Sequence, residues 1–109
     1  MPLNWYNKKT LTISIVIVFI RVVNIKFSSK IEADAMNALA KHELINVLPG
    51  ILSIEVVRIT DLHSIVVNKF DSKESAEKSK ELVINKLKSN SNIKVEIFEG
   101  NRSFIIEKS

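Results

Sequence analysis

The segment Leu48-Pro49-Gly50-Ile51 constrains the fold of this chain more than any other. It follows a stretch with helical spacing of apolar residues, Ile31 to Val47, and precedes an apolar run, Ile51 to Arg58. Proline has no backbone N–H with which to continue a helix, and glycine readily adopts the left-handed conformation that ends one. The sequence therefore predicts a helix that stops before Pro49 and a strand that starts at Ile51.

A second strand and a second helix follow closely. The polar turn Thr60 to His63 leads into another apolar run, Ser64 to Phe70, a spacing that is typical of an antiparallel hairpin. The polar stretch after Phe70 begins with Asp71 and Ser72, either of which is a good N-cap residue. We expect a strand–turn–strand unit that is followed directly by a helix.

The N-terminal apolar run, residues 11–20, allows two interpretations. Two lysines precede it, as in the charged and apolar regions of a secretory signal, so export or a membrane anchor within residues 8–20 is one alternative. Arg21 and Lys26 interrupt the run before it reaches the roughly 20 apolar residues that a membrane span needs. Its Ile, Val and Thr residues favour a strand. We predict a strand over residues 12–26 and a cytoplasmic protein.

The remaining elements complete a recognisable order. Ser29 and Glu32 have the spacing of a capping box at the start of the first helix. Near the C-terminus, Gly100-Asn101 between two apolar runs predicts a tight hairpin turn and an extra strand. The order β-α-β-β-α-β with one more strand is an α+β, ferredoxin-like arrangement. We assign residues 1–10 to an N-terminal arm and residues 11–109 to one domain.

The strands are apolar on both faces. Residues 13–23 and 51–59 keep apolar side chains at successive positions, whereas a sheet with helices on one side only would alternate apolar and polar residues. A second sheet has to cover the other face. We therefore expect a homodimer in which two sheets pack against each other.

Composition excludes several kinds of site. The chain has no cysteine, which excludes disulfides and thiolate ligands, and its two glycines leave no room for a glycine-rich phosphate loop. Five of the 16 basic residues lie within residues 1–30, which contain no acid, so the net charge of +4 reflects the N-terminal segment. A nucleic-acid interface would need a basic face across the folded body. We expect neither nucleic acid nor a nucleotide as partner.

Residues 47–76 resemble a known family. They are similar to the antibiotic biosynthesis monooxygenase family in three features. A helix ends in Pro-Gly and is followed by a strand. A second strand then ends in an aromatic residue, and the next helix begins with Ser and Glu. The resemblance extends over roughly residues 13–98. It implies a dimeric α+β barrel, a pocket between helices and sheet for a small apolar or aromatic molecule, and no metal or flavin cofactor.

The resemblance also separates two activities. Haem-degrading relatives use an Asn, a Trp and a His, whereas Phe70 stands at the strand position that is often Trp, and residues 75–88 contain no His. The sequence therefore argues against haem degradation. Cofactor-independent oxygenation remains, with a non-catalytic dimeric binding or stress-associated module as the alternative.

Four residues are candidates for the site. His42 and Asn68 are the candidate catalytic residues, and Phe70 and Val66 the candidate pocket residues. Near the end of the first helix, His42 is placed to move a proton or bind substrate, although an exposed helical histidine has the same pattern. Asn68, Phe70 and Val66 share one strand face. Asn68 therefore contacts a ligand if that face meets the helices, or lies at a sheet edge.

Overall fold

The computed structural model describes residues 11–14, 17–88 and 92–109, so the arm predicted for residues 1–10 lies outside the described residues. Six strands and three α-helices are present within these ranges. They are β1 (Leu11–Ser14), β2 (Phe19–Lys26), α1 (Lys30–Leu39), a π-helical segment (Ala40–Leu44), α2 (Ile45–Val47), β3 (Ile51–Thr60), β4 (His63–Phe70), α3 (Lys73–Lys88), β5 (Lys94–Asn101) and β6 (Ile105–Lys108). No described helix is long and apolar enough to cross a membrane.

A four-stranded antiparallel sheet forms the centre of the fold. Its strand order is β3-β4-β2-β5, so β2 pairs with both β4 and β5, and β3 and β5 form the edges. The hairpin predicted between β3 and β4 is confirmed, and Leu62 N–H donates to Thr60 Oγ1 at 3.1 Å within its turn. In chain order, α1 and α2 come between β2 and β3, and α3 comes between β4 and β5. The α+β, ferredoxin-like fold class predicted from the sequence is confirmed.

The predicted helix boundaries are also confirmed. Ser29 Oγ accepts a hydrogen bond of 3.2 Å from Glu32 N–H at the start of α1, and Ser72 Oγ accepts one of 3.1 Å from Ser75 N–H before α3. Gly50 adopts φ +64°, the left-handed conformation that follows a helix end. A Cβ atom there would clash with Ser75 and Asp71, so glycine is required for space as well as for conformation.

The first long helix changes its winding in the middle. Ala40–Leu44 is π-helical, and the N–H of Ile45 donates to the carbonyl of Ala40, five residues earlier. Ala40 and Leu44 of this segment are both buried, and they pack in one cluster with Leu48. Such segments are rare and often lie at functional sites. The sequence predicted one regular helix over 31–47, so this segment was not anticipated.

One face of the sheet packs against the helices. Along β4 the side chains alternate, with Ser64, Val66, Asn68 and Phe70 buried and the residues between them half-buried. β2 alternates in the same way. Together with helix residues, these side chains form three clusters, of which the largest surrounds Val23, Ile25, Phe27, Ala33 and Val66.

The opposite face of the sheet is open and carries an apolar patch beside polar side chains such as Asn24, His63 and Glu96. Val57 is 46% exposed on β3 and Phe98 is 58% exposed on β5. Between these edges, β2 and β4 present half-buried aliphatic side chains to the same side. They are Ile20, Val22, Ile65 and Val67. We call this surface the open sheet face.

Two details differ from the sequence predictions. The single strand expected over 12–26 is two strands, β1 and β2, in different sheets. Gly100-Asn101 is not a turn: both residues lie in β5, which stays paired with β2 as far as Phe19↔Asn101. The N–H of Arg102 then donates to the carbonyl of Val18 at 2.7 Å. β5 therefore stays paired with β2 where a hairpin turn was expected. The last strand, β6, pairs with β1 and not with β5.

Candidate functional site

A groove lies between the π-helical segment and the edge strand β3. Its volume is about 380 Å³, within the range of small-molecule sites. Four of its lining residues are apolar, and Asn37 and Lys41 add polar groups from the helical side. The lining residues are Asn37, Ala40, Lys41, Ile45, Ile54 and Val56.

An inner cavity lies between the helices and the sheet. It holds about 30 Å³, enough for one or two water molecules but not for an aromatic ring. It shares Ala40, Ile54 and Val56 with the groove, so the two spaces adjoin across these side chains. Asn68 is the polar member of the described residues that line it. The side chains of Ala40, Ile54 and Val56 thus separate the groove from the cavity that Asn68 lines.

Asn68 is held on the helix-facing side of β4 by the alternation of the strand. It is 6% exposed, and its Oδ1 atom is buried without a hydrogen-bond partner. An unpartnered buried acceptor costs about 1–3 kcal/mol. Such atoms are rare in folded proteins and need an explanation. Asn68 therefore offers a free acceptor at the inner end of the cavity.

A charged cluster lies next to Asn68 on the same face of the sheet. Arg21 faces Asn68 across β2 and β4 and faces Glu99 across β2 and β5. Its Nε donates to Glu99 Oε2 at 2.7 Å, and the guanidinium carbon lies 5.3 Å from the centre of the Phe70 ring. Lys80 Nζ lies 3.8 Å from Glu99 Oε1. The cluster of Arg21, Glu99 and Lys80 thus carries two positive charges and one negative charge.

The structure distributes the four predicted site residues over three environments. Asn68 and Val66 line the inner cavity. Phe70 is fully buried against Phe19 and Ala76 and lines neither space, although its ring contacts Arg21. His42 is exposed on the π-helical segment and also lines neither space. The predicted set is therefore brought together only in part.

Three residues of the site were not anticipated from the sequence. Arg21 was considered only as an interruption of the N-terminal apolar run, and Asn37 and Lys41 were not considered as site residues. One pattern identifies Arg21: it occupies the same strand face as Phe19 and Val23, both buried. A charged residue on a buried strand face has to find partners within the core. For Asn37 and Lys41 the sequence contains no comparable indication.

Within the described ranges, no group of three or more His, Asp and Glu side chains is close enough to hold a metal ion.

Comparisons with known proteins identify solved structures with a similar fold. No family model matches the sequence, and a search of the curated proteins finds no relative. Among solved structures, a dimeric ferredoxin-like protein from an uncultured marine organism is similar at 21% identity and a TM-score of 0.58, covering 78% of this chain and 87% of that one.

Two oxygenase structures are also similar. The monooxygenase from the gene ActVA-Orf6 of Streptomyces coelicolor, solved in complex with nanaomycin D, has a TM-score of 0.56 and 16% identity over 83% of this chain and 93% of its own. SnoaB, a cofactor-independent oxygenase from Streptomyces nogalater, has a TM-score of 0.54 and 10% identity over 81% and 96%. At these identities the similarity concerns the fold. The chain thus has the ferredoxin-like α+β fold of these oxygenases, which confirms at the level of the fold the resemblance seen in the sequence.

Proposed function

We propose that this chain is a homodimeric α+β barrel protein that binds a small apolar or aromatic molecule between its helices and its sheet. The groove of about 380 Å³, with its mainly apolar lining and its continuation towards Asn68, is the observation that carries the proposal. Ligand sites typically combine apolar walls with a few polar groups that orient the ligand. Asn68 supplies such a group at the inner end.

The ligand would enter from the groove and widen the inner cavity. The side chains shared by both spaces, Ala40, Ile54 and Val56, lie on the entry route. Ala40 belongs to the π-helical segment, which is less regularly hydrogen-bonded than an α-helix. Displacement of this segment would enlarge the cavity at less cost than displacement of a sheet strand.

The open sheet face supports the homodimer. Val57 and Phe98 are about half exposed on it and flank half-buried aliphatic side chains of β2 and β4. Packing this face against a second copy would remove it from water, at about 25 cal/mol for each Å² of apolar area buried. The similar ferredoxin-like structure from a marine organism is described as dimeric.

The reaction we propose for the bound molecule is cofactor-independent oxygenation, because one similar structure is described as a monooxygenase and SnoaB as a cofactor-independent oxygenase. In such a reaction an activated CH₂ carbon of the substrate loses two hydrogens and gains one oxygen atom from O₂. The second oxygen atom leaves as water, and all four electrons come from the substrate. Asn68 would orient the reacting oxygen of the substrate, and His42 remains a candidate for proton transfer.

Calorimetric titration with naphthalene-sized aromatic molecules, followed by oxygen uptake with hydroquinone-like substrates, tests the proposal. Binding that is weakened by Ile54→Trp, which would fill the space between groove and cavity, is the expected result. Leu82→Trp is the matched control, because Leu82 is exposed on α3 and lines neither space. Absence of binding to the unaltered protein would contradict the proposed site.

The inner cavity of about 30 Å³, largely filled by side chains, favours a second candidate, a non-catalytic dimeric binding module. Binding without oxygen uptake would support this alternative. If uptake occurs, His42→Ala determines whether that histidine takes part: full activity in the variant would remove it from the mechanism.

A further inference from the structure

We propose that protonation of His63 weakens the association of two copies through the open sheet face, so that the homodimer is favoured at neutral pH and dissociates as the pH falls. The inference rests on the proposed homodimer and names the regulation of its interface. It assigns a role to His63, which the proposed reaction does not use.

Three polar side chains form a hydrogen-bonded chain across β5, β2 and β4. Asn24 Nδ2 donates to Glu96 Oε1 at 3.0 Å, and the amide oxygen of Asn24 is bonded to His63 Nε2. An amide oxygen only accepts, so His63 Nε2 carries the hydrogen of this bond. Because a neutral imidazole has one N–H, its Nδ1 atom is then an unprotonated acceptor. The chain therefore fixes the tautomer of neutral His63, and an added proton binds at Nδ1.

The chain borders the apolar part of the open sheet face. His63 lies two residues before Ile65 on β4, and Glu96 lies two residues before Phe98 on β5, so each pair shares one face of its strand. His63 and Asn24 are half-buried in the single chain. A second copy packed on this face would remove the imidazole further from water. Burial disfavours the charged form of a histidine and spares the neutral form, whose N–H is already bonded.

The side chains nearest to His63 across the sheet include two lysines. Lys26 is directly opposite His63 in the β2–β4 pair, and Lys94 is directly opposite Lys26 in the β2–β5 pair. On the other side, β3 places the neutral Thr60 opposite His63. Side chains in such positions have Cβ atoms about 5 Å apart. A charged His63 would therefore add a third positive charge to one end of this face, and like charges at short distance repel.

Two carboxylates partly offset this repulsion. Glu96 reaches the imidazole only through the Asn24 amide, and Asp61 is exposed in the turn between β3 and β4, while the helices pack against the other face of the sheet. Both carboxylates belong to the same chain as the histidine, so they act in the monomer and in the dimer alike. Loss of water around the imidazole occurs only on association, and a twofold interface contains two copies of His63. The dimer therefore binds protons more weakly than the monomer does, and acid favours the monomer.

Sedimentation equilibrium of the full chain between about pH 8 and about pH 5.5 tests the inference, because an ordinary histidine becomes charged over this range. We expect the dissociation constant of the dimer to rise about tenfold or more towards the acid end. His63→Gln should abolish this rise, because glutamine keeps an N–H donor for Asn24 Oδ1 but cannot become charged.

His42→Gln is the matched control. His42 is the other histidine of the chain and is exposed on the π-helical segment, away from the open sheet face. We expect this variant to keep the rise of the dissociation constant at acid pH. Loss of the rise in His42→Gln, or an equal rise in His63→Gln, would contradict the inference.

A measurement on the unaltered protein carries the test if His63→Gln does not fold. Dilution of the dimer in a calorimeter at about pH 6.5, repeated in buffers of different ionisation enthalpy, counts the protons that are taken up on dissociation. We expect net proton uptake. Dissociation without proton uptake, or a dissociation constant that does not change with pH, would overturn the role of His63 and leave the homodimer intact. A chain that is monomeric throughout this range would overturn the proposed homodimer itself.

Discussion

Arg21 shows how a charged side chain is accommodated inside this core. A charge such as that of Arg21 costs several kcal/mol to bury unless it is paired. Glu99 accepts from its Nε, and the face of Phe70 lies beneath the guanidinium, so the cost is largely offset. Neither contact uses Nη2. The side chain is thus held by its Nε and by the ring contact, while Nη2 has no hydrogen-bond partner.

Gly50 is the residue at which backbone conformation matters most. We expect Gly50→Ala to lower the free energy of unfolding by about 1–3 kcal/mol, because φ +64° strains any residue with a Cβ atom and that atom would clash with Ser75 and Asp71. Urea denaturation measures the change. Gly100→Ala is the matched control, since a Cβ atom there meets nothing within 4 Å and should leave stability unchanged or slightly higher. Equal stability of the two variants would contradict the argument.

Among the elements, α1 is connected to the edge strand β3 by Asp34. Its carboxylate accepts from Lys30 Nζ on the same helix at 2.9 Å and forms an ion pair of 3.1 Å with Arg58 on β3. The hydrogen bonds from Lys30 and Arg58 lower the pKa of Asp34 below its usual value of 3.8. Within the part of the chain that the structure describes, β3 is an edge strand, so this ion pair joins the helix to the edge of the sheet.

The sign of the pH dependence follows from the direction of this shift. Because the pKa of Asp34 is lower in the folded chain than in the unfolded chain, its contribution to stability is present above pH 3.8 and is lost as the pH falls from 3.8 through the lowered pKa. Titration of the Asp34 carboxyl carbon by NMR should show a pKa below 3.8 that rises in Lys30→Ala and in Arg58→Ala. Lys78→Ala, which removes the partner of Glu74 on α3, is the control and should leave Asp34 unchanged. A pKa of 3.8 or more in the unaltered protein would contradict this prediction.

For the whole molecule, the open sheet face predicts assembly. A monomer would leave Val57 and Phe98 about half exposed on this face, and exposed apolar patches mark interaction sites. Sheet-on-sheet packing aligns two such faces about 10 Å apart and buries the side chains of both.

Light scattering of the unaltered protein should give about twice the monomer mass of 12.4 kDa. We expect Val57→Lys to shift the equilibrium towards the monomer, because the lysine charge would have to be buried between the sheets. Leu82→Lys is the matched control: Leu82 is 44% exposed, close to the 46% of Val57, but lies on α3. A monomeric unaltered protein, or equal effects of the two variants, would disprove assembly through this face.

Local sequence determined the elements of this protein and their ends. Ser29 and Ser72 begin the two long helical stretches, and Pro49 and Gly50 end the first of them, since these effects depend on backbone geometry and on atoms a few residues away. The order of these elements and the apolar pattern of the strands were sufficient to predict the fold class.

Tertiary structure alone decided the remaining features, because each depends on residues far apart in the chain. Gly100-Asn101 had the composition of a turn, but pairing with β2 extends β5 through both residues. The π-helical winding of Ala40–Leu44 was not predicted, because nothing in its five residues distinguishes them from an ordinary helix. Arg21 lies between Glu99 and Asn68 only because β2 pairs with β5 on one side and with β4 on the other. The sequence by itself thus specified what each element is, whereas the pairing of distant strands decided which side chains meet in the site.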